Sequence, residues 1–129
     1  MKYLKAILIC MFIITQSCVQ ETHTKNVTFR VDMNAVENVG NVGVRGNFTD
    51  NPWNETAPLT DDNGDGIYEG TFSQKTAINQ IQFKFVNNGS EFELEGSDNR
   101  TIEFEYKPEN IIYEAVFNNP NGEQSVINN

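Results

Sequence analysis

Residues 61–70 read DDNGDGIYEG, and this stretch fits two structures that belong to different fold classes. Alternating oxygen-bearing side chains before a glycine are typical of an EF-hand calcium loop. The positions that would supply the ligands are Asp61, Asn63, Asp65 and Glu69. Position twelve of such a loop should be a bidentate glutamate, but it is Phe72 here, and no helical pattern flanks the stretch. Asn-Gly and Asp-Gly pairs are also strong hairpin signals, so the stretch predicts a β-hairpin turn and only a weak metal site.

Outward from this turn, the flanking segments alternate apolar and polar residues with a period of two. The clearest is residues 80–86 (QIQFKFV), where Ile81, Phe83 and Phe85 point one way and Lys84 the other. Similar strands are predicted in residues 27–33, 42–44, 67–72, 102–106 and 111–117. No window has a sustained helical period. Short strands separated by Asn-Gly and Asp-Gly turns predict an all-β fold, an antiparallel immunoglobulin-like β-sandwich of about six to eight strands.

The N-terminus is typical of a bacterial lipoprotein signal. Lys2 and Lys5 precede an apolar run at residues 6–14, and Ser17 stands directly before Cys18. This lipobox-like end predicts lipidation of Cys18, with an ordinary cleaved signal peptide as the alternative. The predicted location is the cell envelope, at the outer membrane, with the periplasmic or surface face left open.

The predicted domain organisation has four parts. We expect a signal peptide at residues 1–17, a lipidated tether at 18–26, the β-sandwich at 27–118 and a flexible tail at 119–129. Cys10 lies in the signal and Cys18 directly follows it, so we expect no intramolecular disulfide to support the fold.

The charge balance limits the partners. The chain carries a formal net charge of −9, and removal of the signal would take two lysines with it. Such a surface repels phosphate backbones, so nucleic acid is not an expected partner. It also repels anionic lipid, so we expect membrane attachment only through the lipid anchor.

A resemblance to a known family follows from the order of several short motifs. These are VTFRVDM at 27–33, VGVRGNF at 42–48, Trp53, PLTDDNGDGIYEGTF at 58–72 and IQFKFVNNG at 81–89. In this order they resemble starch- and glycogen-binding modules, the family 48 and family 20 carbohydrate-binding modules. The resemblance covers about residues 27–117 and implies an early-set immunoglobulin-like fold.

The resemblance also implies four sugar-binding residues. Trp53 matches the first stacking tryptophan, in a loop about two residues longer than usual, and Lys84 matches a lysine that hydrogen-bonds sugar hydroxyls. Phe92 falls near a second platform that is normally tryptophan, and Asn99 lies where the family often has a sugar-binding asparagine. The alternatives are a core position for Trp53 and Phe92, a solvated strand face for Lys84 and a turn for Asn99.

The predicted function is a non-catalytic envelope lipoprotein that binds α-glucan, without a cofactor. An enzyme is not expected, because the one histidine, His23, lies in the predicted tether. Glu91, Glu93 and Glu95 are expected to be solvated along one strand face. Two alternatives are a structural or protein-interaction domain without a sugar site, and calcium-dependent adhesion through residues 61–69. The protein-interaction alternative predicts Trp53 packed inward, Lys84 paired with a carboxylate and no exposed aromatic residue.

Overall fold

A computed structural model describes residues 17–128. Nine strands lie in this range, and their bounds are β1 His23–Asp32, β2 Gly43–Gly46, β3 Ala57–Pro58, β4 Ile67–Thr76, β5 Gln80–Asn87, β6 Glu91–Phe92, β7 Arg100–Glu103, β8 Glu109–Val116 and β9 Gly122–Val126. Within the same range, no helix is long and apolar enough to cross a membrane. The predicted signal peptide lies outside the described residues except for Ser17.

The strands form two sheets. One has four strands in the order β4-β1-β8-β9, and the other places β3, β2 and β5 side by side with β6 and β7 both paired to β5. All strand pairs are antiparallel except β1 with β8, which is parallel. The predicted all-β immunoglobulin-like sandwich is confirmed. Nine strands in the described range exceed the predicted six to eight, because β3 and β6 are too short to show a period and β9 lies in the predicted tail.

The core lies between the sheets and is centred on Phe29 of β1. Its ring lies 5.6 Å from that of Phe48, 5.0 Å from Phe83 and 6.4 Å from Phe85, between ring centroids. All four side chains are nearly fully buried. Phe83 and Phe85 pack edge-to-face on Phe29 and Phe48 stacks on it, and aromatic pairs of both kinds add to the hydrophobic stabilisation of the core. The alternation in β1 and β5 therefore predicts their inward faces correctly.

The N-terminal boundary predicted at Val27 is wrong, because β1 begins at His23. Lys25 is 3 % exposed, and its ammonium lies 2.6 Å from the Glu109 carboxylate while also donating to the Glu105 carbonyl. The polar sequence of residues 18–26, which has no period, predicts a tether. Here the polar side chain is instead buried with its own counter-ion.

The contacts of the N-terminal segment with the domain begin before β1 and include Glu21. Its backbone N–H donates to the Tyr106 hydroxyl at 2.8 Å, and the same Tyr106 ring packs edge-to-face on His23 with centroids 4.6 Å apart. Tyr106 itself is 59 % exposed and lies after β7, which ends at Glu103, short of the predicted strand end at 106. The structured domain therefore begins close to Cys18.

The predicted flexible tail at 119–129 is also corrected, because it contains strand β9, which pairs with β8. The Gln124 side chain hydrogen-bonds both backbone groups of Glu103, donating to its carbonyl at 2.7 Å and accepting from its N–H at 3.1 Å. A side-chain amide thus takes the place of a neighbouring strand. This contact joins the edges of the two sheets.

A buried ion pair lies farther along the same sheet edges, where β7 meets the connection between β8 and β9. The Arg100 guanidinium contacts both carboxylate oxygens of Glu93, at 2.6 and 2.8 Å, and it also donates to the Asn119 carbonyl at 2.6 Å. Burial acts to lower the pKa of Arg100, but the hydrogen bonds and charge of Glu93 outweigh it and raise that pKa. Glu93 is fully buried, so its predicted solvated position is wrong.

Candidate binding face

The outward surface of the five-stranded sheet collects the predicted polar site residues. Cross-strand partners share a face in an antiparallel pair, and Arg45 lies opposite Lys84, Phe92 opposite Val86 and Thr101 opposite Gln82. Phe83 and Phe85 point inward to the core, so these residues point outward. We call the surface formed by Arg45, Gln82, Lys84, Phe92 and Thr101 the binding face.

Lys84 lies on this face but beneath a loop. It is 9 % exposed, and its ammonium donates to the carbonyls of Leu94 at 2.8 Å and Ser97 at 2.9 Å. Two of its three N–H donors are therefore committed to the connection between β6 and β7. Its predicted contact with a sugar stays a prediction. The structure shows that it holds this loop through two hydrogen bonds.

Phe92 is an exposed ring on the same face, with 39 % of its surface accessible. The Arg45 guanidinium lies 5.7 Å from the ring centroid, within the range of a cation–π contact. The Arg45 Nε also donates to the Thr56 hydroxyl at 2.7 Å. Phe92 is therefore open to solvent, as a platform requires, but part of its ring supports a cation.

Asn99 is exposed and lies at the edge of the face, where the loop enters β7. Its side-chain nitrogen is 3.5 Å from the Gln82 oxygen, at the limit of a hydrogen bond. The two amides leave most of their donors and acceptors available to a ligand.

Trp53 lies in the loop between β2 and β3 and is half-buried, outside the core cluster. Its φ is +65°, a left-handed conformation that is rare for a bulky side chain and costs of order 1–3 kcal/mol. The Trp53 N–H donates to the Gly46 carbonyl at 2.8 Å, which ties this residue to the end of β2. Strain of this kind persists only where the surrounding structure imposes it, and it concentrates at functional sites.

The structure therefore brings Lys84, Phe92 and Asn99 onto one face, with Trp53 anchored at the end of a strand of that sheet. Sequence reasoning did not identify Arg45. The sequence does contain a pattern that indicates its orientation, because Val42 and Val44 both point inward and the alternation places Arg45 outward. Its contact with Phe92 depends on the register of three strands, which the local pattern does not contain.

The weak metal candidate, residues 61–69, is a turn. The Asp61 carboxylate accepts the backbone N–H groups of Asp65 at 3.1 Å and Gly66 at 2.9 Å, and Glu69 lies 3.2 Å from Arg30. A backbone hydrogen bond from Ile67 is the main cause that lowers the pKa of Asp65. A single bridge pairs Thr60 with Glu69 across the turn, but β3 and β4 belong to different sheets, so the predicted turn is present without the paired strands of a hairpin. In residues 17–128, no group of three His, Cys, Asp or Glu side chains could hold a metal ion.

Comparisons with known proteins give little further identification. No protein-family model matches the chain, and no curated protein matches it. Among solved structures, the chain is similar to the solution structure of the CBM25-2 of beta/alpha-amylase from Paenibacillus polymyxa. That match has 13 % sequence identity and a TM-score of 0.49, and it covers 83 % of this chain and 96 % of the other. A match of this strength identifies neither the ligand nor the site of this chain.

Proposed function

We propose that the binding face holds a carbohydrate without catalysing its conversion. The observation that carries this proposal is the exposed Phe92 ring beside the Arg45 guanidinium on the outward side of the five-stranded sheet. A sugar presents a flat face of C–H groups and an edge of hydroxyls, which suit an aromatic ring and polar donors respectively. Asn99, Gln82 and Thr101 supply further polar groups on the same face, farther along β5 from the ring.

The proposed ligand backbone is an α-glucan polysaccharide or oligosaccharide. The resemblance to starch- and glycogen-binding modules supports this choice, and Trp53 and Phe92 are its proposed stacking residues. Ring stacking contributes about 1–3 kcal/mol per platform by analogy with nucleic-acid bases. After the cost of association, two platforms correspond to dissociation constants of about micromolar to millimolar.

The absence of catalysis is part of the proposal. Glu93, one of three candidate carboxylates, is fully buried and paired with Arg100, so it cannot reach a substrate. Glu91 accepts hydrogen bonds at 3.2 Å from Asn87 and Asn88. A face that is open to solvent also differs from the enclosed clefts in which enzymes exclude water.

The protein-interaction alternative fits the observed geometry less well. It requires a carboxylate partner for Lys84, whereas the ammonium donates to two backbone carbonyls. It also requires that no aromatic residue be exposed, whereas Phe92 is 39 % exposed. The calcium alternative is weakened because the turn uses the Asp61 carboxylate for its own backbone.

Affinity electrophoresis of the full-length chain in detergent tests the proposal. Gels would contain glycogen, amylopectin or a non-glucan polysaccharide, and the variants would be Trp53→Ala and Phe92→Ala. Retardation by the α-glucans that either variant reduces supports the proposal. Tyr106→Ala is the matched control, because it removes an exposed aromatic ring that lies outside the binding face. Failure of every polysaccharide to retard the protein contradicts carbohydrate binding.

We also propose that Cys18 carries the lipid that anchors the protein in the cell envelope, at the outer membrane. Cys18 is exposed and has no disulfide partner among the described residues, so its thiol is accessible. Metabolic labelling with radioactive palmitate should mark the protein, and Cys18→Ser should abolish the label. Equal labelling of both chains contradicts the anchor at this position.

A further inference from the structure

Arg45 differs from the other two arginines of the chain in its partners. Arg30 lies 3.2 Å from Glu69 and Arg100 lies 2.6 Å from Glu93. No carboxylate in residues 17–128 lies within 4.0 Å of Arg45. This is notable in a chain with 18 acidic and 9 basic residues, where a counter-ion is easy to supply.

The Arg45 side chain is nevertheless held in place. The Thr56 hydroxyl accepts its Nε–H at 2.7 Å, and Phe92 lies beneath the guanidinium with 5.7 Å between Cζ and the ring centroid. Its two terminal nitrogens make no hydrogen bond to any described residue. A planar donor pair that is already oriented loses less freedom on binding, and its geometry matches a carboxylate bidentately.

Lys84 increases the positive charge at this point. It lies directly opposite Arg45 on the neighbouring strand, a like-charged arrangement that destabilises a sheet. An anion placed between solvent and the two cations would offset this repulsion. Because Lys84 is 9 % exposed and donates to two carbonyls, its main contribution is charge, and Arg45 is left to make the contact.

We propose that the binding face recognises a sugar that carries a carboxylate, such as a uronic acid unit within a glycan. The carboxylate pairs with the terminal nitrogens of Arg45, and the C–H face of the ring rests on the exposed part of Phe92. This inference rests on the proposed carbohydrate binding at the same face. The net charge of −9 repels polyanions at long range, but salt screens that repulsion beyond about 8 Å at physiological ionic strength.

A matched pair of ligands tests this inference on the full-length chain in detergent. One probe is a neutral amylose oligosaccharide, and the other is the same oligosaccharide oxidised at C6 so that its units carry carboxylates. Isothermal titration calorimetry should give an affinity at least about tenfold higher for the oxidised probe, as expected for a charge-assisted bidentate pair. Added salt should reduce this preference, since the contact is partly exposed.

Variants separate the contribution of Arg45 from that of the general charge. Arg45→Gln should abolish the preference for the oxidised probe, and Arg45→Lys should restore only part of it, because lysine keeps the charge but not the paired donors. Arg30→Gln is the control, since it removes an arginine from the outer face of the other sheet. Circular dichroism melts would show that each variant is folded.

The outcomes distinguish recognition of an acidic sugar from carbohydrate binding itself. Equal affinity for the two probes, or a preference that survives in Arg45→Gln, overturns the acidic-sugar inference and leaves carbohydrate binding intact. Binding of neither probe overturns both. A preference that Arg30→Gln removes as fully as Arg45→Gln also overturns it, because the effect would then follow from net charge.

Discussion

Two arginine–phenylalanine pairs in this domain have similar distances but very different surroundings. Arg100 lies 5.4 Å from the Phe85 ring centroid, and Arg45 lies 5.7 Å from that of Phe92. The Arg100 pair is buried, and its guanidinium donates to Glu93 and to backbone carbonyls. The Arg45 pair is at the surface with its terminal donors open. The number of donors left unused, and not the ring contact, separates a structural arginine from one suited to a ligand.

The largest expected effect concerns Arg100. Arg100→Ala leaves the Glu93 carboxylate buried without its partner, which should lower the free energy of unfolding by about 3–5 kcal/mol. Urea denaturation measures this change. The double variant Arg100→Met with Glu93→Leu should recover only part of the stability, because it removes both charges but leaves the Phe85 and Asn118 N–H groups without their acceptor. A loss below about 1 kcal/mol in Arg100→Ala would contradict a structural role for this pair.

Lys84 provides an intermediate case between the two arginines. Lys84→Met keeps much of the side-chain volume but leaves the Leu94 and Ser97 carbonyls without their donor, which should cost about 1–3 kcal/mol of unfolding free energy. Limited proteolysis should show cleavage near residues 94–97 in this variant. Wild-type stability together with a loss of sugar binding would instead assign Lys84 to the ligand.

Arg45 should show the opposite behaviour from Arg100. Arg45→Gln should change the free energy of unfolding by at most about 1 kcal/mol, the value of an exposed cation–π contact. Its main effect should be on ligand binding at the face. A loss of stability as large as that of Arg100→Ala would show that Arg45 is structural, which would contradict the contrast between the two arginines.

The smallest effect is a pH dependence that lies outside both arginine sites. The backbone N–H of Ile67 lowers the pKa of Asp65, so this carboxylate stabilises the fold at pH values above its unfolded pKa of about 3.9. That contribution is lost as the pH falls through the lower, folded pKa. The melting temperature should therefore fall less steeply between pH 6 and pH 2 in Asp65→Asn than in the wild type. Identical acid profiles for the two chains would contradict this assignment.

Much of the fold follows from local patterns, since alternation in β1 and β5 identifies the inward faces and Asn-Gly and Asp-Gly pairs identify turns. The errors concern Lys25 and Glu93, which are charged but buried. Pattern reasoning assigns such residues to solvent, because their partners Glu109 and Arg100 are recognised only when the strands are paired. The candidate site is predictable to a similar degree. Phe92 is exposed as a platform requires, whereas the contact of Arg45 with Phe92 and the left-handed Trp53 depend on register and loop geometry.

The docking of Glu21 on Tyr106 has a consequence for how the domain would stand on a membrane. With lipid on Cys18, only Val19 and Gln20 separate the anchor from the hydrogen-bonded Glu21, and the three Cα–Cα steps reach about 10 Å. If β1 continues away from the bilayer, the sheet normals lie roughly parallel to the membrane surface. The binding face would point sideways, so that a polymer is held beside the domain and close to other proteins in the same leaflet.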